Sequence, residues 1–129
     1  MTDRGRYLLV SDVHILRSWG QELKLMFDEM PYLVGSALER PDYRDVDVRL
    51  MLDDDRYDAL VATGVKLSRL NLAVSVWGQR VTGLPIDFQV QRVTDANAEF
   101  DGLRDPIGID TRRLEEAEVD AMRRNGGKA

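Results

Sequence analysis

Residues 33–52 read LVGSALERPDYRDVDVRLML, and the alternation inside this stretch decides the fold. In an extended strand successive side chains point to opposite faces. Asp45, Asp47 and Arg49 therefore share one face, and Val46, Val48 and Leu50 share the other. The apolar face is suited to a core, which leaves an open acidic face on a rigid element. Two aspartates held this close repel each other unless a cation or a shared proton relieves the repulsion. Hard oxygen ligands with room left for water and phosphate suit Mg²⁺, or Mn²⁺ in its place, better than a closed cage would. Asp45 and Asp47 are candidate metal ligands on that ground.

The stretch begins with Tyr32-Leu33-Val34, a short strand that runs into Gly35-Ser36. Glycine permits close backbone approach, and exposed N–H groups beside a hydroxyl suit phosphate oxygens. Further along, Ile86, Phe88 and Val90 alternate with Asp87, Gln89 and Gln91. A third carboxylate, Asp87, thus falls on the polar face of a half-buried strand.

A hydrophobic-Gly-Ser turn, an Asp-hydrophobic-Asp-hydrophobic strand and a later strand aspartate, in that order, resemble the nucleotidyltransferase superfamily of DNA polymerase beta-like proteins. The resemblance covers about residues 31–91 and departs from the commonest pattern twice. Eight residues separate Ser36 from Asp45, a short gap, and Ala37 and Leu38 stand where a basic residue often follows the turn. Arg40 and Arg44 are the candidates to take over that phosphate contact. The resemblance implies a small mixed β-sheet with helices packed on one face, an α/β (α+β) fold. It further implies Mg²⁺-dependent transfer of a nucleoside monophosphate from a nucleoside triphosphate to an acceptor hydroxyl on a protein, an RNA 3′ end or a small molecule. Two ions would be held by Asp45, Asp47 and Asp87, with Gly35 and Ser36 on the triphosphate tail. Arg49 would either neutralise phosphate or tie down the aspartates as an ion pair. Toxin–antitoxin and mobile-element settings are common for such minimal forms. The competing expectation is a catalytically inactive module that keeps the fold and acts through a protein partner.

Composition bounds these readings. The 129 residues, 43% hydrophobic, suit one compact domain, with a core over residues 1–93 and an extension over 94–129. With no cysteine and one histidine, thiolate catalysis, disulfides and histidine-rich metal sites are excluded. No apolar run approaches the roughly 20 residues that cross a bilayer, and the amino end lacks a signal-peptide core. A cytoplasmic protein without membrane association is expected. The formal charge of −5 argues against broad binding of duplex DNA or RNA. It leaves room for a nucleotide held by a few arginines, and the oligomeric state stays open.

The remaining segments read as scaffold. Tyr7-Leu8-Leu9-Val10 packs on the domain edge. Ser11 or Asp12 caps a helix whose stripe is Val13, Leu16, Trp19, Leu23 and Phe27, widened by Ile15 and Met26, with Gly20 a mild defect. His14 reads as a surface group, and Trp19, Met26 and Met30 as core. Asp53-Asp54-Asp55 suits the positive end of a helix over 56–61 that breaks at Gly64. Residues 65–81 fit both helical and strand spacing, and their length favours a helix crossing over between strands. Its Lys66 and Arg69 face solvent. Beyond Thr94 the apolar periodicity fades. Asp101-Gly102 and Asp105-Pro106 are turn signals, residues 104–109 form a surface wrap or a lid over the cleft, 112–124 a charged helix, and 125–129 a frayed end.

Overall fold

A computed structural model describes residues 7–99 and 102–109. The two strands read from alternation are its centre. β2 (Val46–Leu52) and β3 (Ile86–Arg92) run parallel with Asp47 directly opposite Asp87. A parallel pair needs a crossover, and α3 (Asp54–Ala62) with α4 (Leu67–Thr82) supplies it. The ambiguous 65–81 stretch is therefore helix. Gly83, at φ +72°, ends α4 in the left-handed region that favours glycine.

β1 (Pro31–Val34) pairs antiparallel with β2, placing Val34 against Asp47, and on its other side with the two-residue β4 (Asp105–Pro106). The sheet order is β3-β2-β1-β4. α1 (Val10–Phe27) precedes β1, the single turn α2 (Ser36–Glu39) follows it, and α5 (Val93–Glu99) follows β3.

The apolar faces of β2 and β3 meet α1 and α4 in one core that includes Leu16, Trp19, Leu23, Leu33, Val48, Leu50, Val74 and Phe88. Trp19 meets Trp77 edge to face at 5.8 Å, a pairing that contributes about 0.5–1.5 kcal/mol beyond area burial. Trp19 is core as expected, whereas Met26 is exposed, because α1 turns that side outward. His14 lies on the surface.

Several local expectations change. Neither Ser11 nor Asp12 caps α1; Leu9 stands at that position without a side-chain bond, and Asp28 closes the helix at φ +53° with its N–H on the Lys24 carbonyl. Asp53 does cap α3, accepting from the Arg56 N–H at 2.9 Å. Asp105-Pro106 is an edge strand against Tyr32 and Leu33 instead of a turn, and the 104–109 segment lies beside β1 instead of forming a lid. Proline is tolerated there because an edge position needs no ladder N–H. The next residue anchors the strand: Ile107 is buried and its N–H donates to the Pro31 carbonyl at 3.1 Å. Residues 112–129 lie outside the described residues.

The free edge of β3 is closed in an unexpected way. Ile86, Phe88 and Val90 turn their backbone groups away from β2, and side chains spaced by four along α4 meet them. The Asn71 Oδ1 accepts from Val90 N at 3.0 Å, the Ser75 Oγ from Phe88 N at 2.9 Å, and the Gln79 Nε2 donates to the Ile86 carbonyl at 3.0 Å. The polar residues that blurred the periodicity of α4 satisfy an edge that would otherwise invite pairing.

Candidate metal centre

The site grows from the register of β1, β2 and β3. β1 delivers the chain to Gly35, whose φ of +78° and ψ of −150° suit glycine alone, and this bend turns Ser36 toward the end of β2. Asp45 stands just before β2, Asp47 is its second residue, and Asp87 is the second residue of β3. Each of the three offers a carboxylate oxygen within 4.8 Å of the others. Parallel pairing in this register is what unites residues about forty positions apart.

The polar face is less open than alternation alone suggests. α5 lies over its far half, with Ala96 buried, so Arg49 and Met51 are buried as well. The near end, at the three aspartates, meets solvent, with the side chain of Asp47 16% exposed and that of Asp87 41%, and Gln89 and Gln91 of β3 stay half-buried. Arg49 is 3% exposed. Its Nη1 donates to the Asp87 carbonyl at 2.7 Å and the Val48 carbonyl at 3.2 Å. Its Nη2 stands 3.8 Å from Asp47 Oδ1, 3.6 Å from Asp87 Oδ2 and 4.0 Å from Glu99 Oε1. Of the two roles open to Arg49, the ion pair with the aspartates is the one its position fits.

Burial raises the Asp47 carboxyl above the ordinary aspartate range; Arg49 opposes this, while Asp87, Asp45 and Glu99 add to it. The cluster thus carries more negative charge than its guanidinium offsets. A hard divalent cation fits such a donor set, three carboxylates that leave open positions for other oxygen ligands.

Beside the aspartates lies a cleft of about 390 Å³ lined by Gly35, Ser36, Glu39, Arg40, Asp47, Glu99, Gly102 and Leu103. Gly35, Ser36 and Arg40 are therefore brought to the site. Arg40 is exposed and 4.0 Å from Asp42. Arg44 is exposed and does not line this cleft. Glu39 and Glu99 were not legible as site residues: each sits on a short helix whose placement depends on the sheet. A second, shallower groove of about 470 Å³ runs along α4 and β3 from Asp45 and Asp87 past Asn71, Ser75 and Gln79.

Among the described residues, no single helix is long and apolar enough to cross a membrane. No protein-family model matches the chain, and no match is found among curated proteins or solved structures.

Proposed function

We propose that this protein is a Mg²⁺-dependent nucleotidyltransferase that moves a nucleoside monophosphate from a nucleoside triphosphate to an acceptor hydroxyl. The observation that carries the reading is the convergence of Asp45, Asp47 and Asp87 within 4.8 Å, beside the Gly35-Ser36 bend. These three residues would hold the divalent ions. When bound, such ions neutralise charge on the phosphoryl oxygens and favour ionisation of an attacking hydroxyl.

The chain's own groups do the rest. Gly35 and Ser36 line the cleft where the triphosphate tail would lie, with Arg40 at its rim. Asp87 faces the second groove as well, so an acceptor hydroxyl approaching from that side meets a carboxylate able to take its proton. The acceptor oxygen then bonds the α-phosphorus, the bond to the pyrophosphate oxygen breaks, and pyrophosphate leaves. Incubation with Mg²⁺, each labelled triphosphate and candidate protein, RNA and small-molecule acceptors is the test. Labelling by the wild-type chain and none by Asp45→Ala/Asp47→Ala is expected; equal labelling by both, or none with any pair tried, refutes the assignment.

A second reading has its own observation. Among the described residues, Glu39, Asp47 and Glu99 line the cleft against one lining cation, Arg40, an unfavourable surface for a polyanion without metal. This favours a module that keeps the fold, without transfer activity, and acts through a protein partner. Calorimetry separates the two: an enzyme shows Mg²⁺-dependent triphosphate affinity that Asp87→Asn abolishes, and the inactive module shows none.

A further inference from the structure

Arginine is a costly residue to bury, and on a strand whose near end is a cluster of acids its position calls for a reason. Arg49 is held from two directions. Two backbone carbonyls fix Nη1, so the guanidinium cannot swing away from the sheet. Three carboxylates, from β2, β3 and α5, surround Nη2 at 3.6–4.0 Å. Those separations lie beyond hydrogen-bond length. The facing carboxylate oxygens therefore feel the positive charge without spending their lone pairs on a short bond to it.

We infer that Arg49 is the resident counter-cation of the carboxylate cluster and competes electrostatically with an incoming divalent ion, which therefore binds weakly by itself and tightly only in company with a phosphate-bearing ligand. The inference rests on the metal-binding role proposed for Asp45, Asp47 and Asp87. Its physical basis is additive. A fixed positive charge a few ångströms from the ion's ligands, in a partly desolvated site, repels the ion strongly. The ligand's phosphate returns the missing negative charge and adds hard oxygen ligands of its own. Glu99 moderates the competition, because it draws part of the guanidinium's field away from the two aspartates.

The test is binding of Mn²⁺ alone to the full chain, read from the loss of the free-ion paramagnetic resonance signal. Arg49→Met, similar in bulk and uncharged, binds Mn²⁺ about tenfold tighter than wild type or more, and Arg49→Lys, which keeps the charge, stays within about threefold of wild type. Thermal unfolding supplies a second readout: Arg49→Met is the less stable protein without ion, and Mn²⁺ raises its midpoint by more than it raises that of wild type. If Arg49→Met does not fold, Glu99→Gln decides, with an affinity about threefold weaker than wild type expected; an unchanged or tighter affinity overturns the inference. A folded Arg49→Met that binds Mn²⁺ with the same affinity as wild type, or more weakly, overturns the inference and leaves the metal site standing. Absence of Mn²⁺ binding by wild type and both variants defeats the metal site itself, and the inference with it.

Discussion

Gly20→Ala is a substitution for which local propensity and tertiary packing give opposite signs. In the middle of an 18-residue helix, replacing glycine by alanine ordinarily stabilises by about 0.5–1 kcal/mol, because glycine loses more backbone freedom on folding. Here the helix presses on Ile107, the residue after β4. A Cβ at position 20 would stand 2.5 Å from the Ile107 carbonyl oxygen and 2.7 Å from its Cγ1. The first of these is backbone, so no rotamer change removes the clash. Either α1 or the 105–107 segment has to shift. Ile107 is a buried core residue and its N–H bonds the Pro31 carbonyl, so a shift loosens both. Overpacking of a well-filled site costs about 1–3 kcal/mol. Subtracting the propensity gain leaves a net loss of about 1 kcal/mol at the middle of these ranges, equivalent to about 4 °C in the unfolding midpoint for a chain of this size. Thermal unfolding followed by circular dichroism measures the sign, and amide exchange at Ile107 locates the damage, with faster exchange there expected. An alanine variant as stable as wild type, or more so, refutes the claim that α1 packs against Ile107 through this glycine.

Three further outcomes follow from the same geometry. Asp53→Ala removes the cap on α3 and lowers stability by about 1 kcal/mol, measurable as a lower urea midpoint with an unchanged slope; an unaltered midpoint contradicts the capping role. Ser75→Ala leaves the Phe88 N–H without its acceptor at the buried edge of β3, costing about 1–3 kcal/mol and speeding exchange of that amide; retention of full protection there is the contrary result. Asp47 governs a pH effect. Because burial raises its carboxyl in the folded state, the native chain binds more protons than the unfolded chain between the ordinary value of 3.8 and the raised one. Its contribution to stability is therefore favourable below that window and is lost as pH rises through it. Asp47→Asn removes this descending component from the stability–pH curve, and a curve of unchanged shape argues against it.

The legible parts of this molecule are those in which chemistry and periodicity coincide over a few residues. Strict alternation around Asp45 and Asp47 and again around Asp87 marks two strands, and Gly35-Ser36 marks the bend before the first. Asp53 announces α3 through the capping preference of its side chain. The α4 stretch resisted reading because Asn71, Ser75 and Gln79 are polar for a reason that lies outside the helix: they bond the backbone edge of β3. Asp105-Pro106 has turn composition, and only pairing with Tyr32 and Leu33, over seventy positions away, makes it a strand.

By itself, then, the amino-acid order determines which side chains share a face, the approximate extents of α1, β1, β2, α3 and β3, and that Asp47 and Asp87 occupy polar strand faces with Asp45 beside them, because these follow from backbone geometry and nearest neighbours. Tertiary structure decides what those faces meet. It sets Asp47 opposite Asp87, buries Arg49 beneath them under α5, brings Glu39 and Glu99 to the cleft, and turns Gly20 from a helix defect into a contact point. Each of these depends on strand register and helix docking, which are settled by packing between residues far apart in the chain, and no local pattern carries that information.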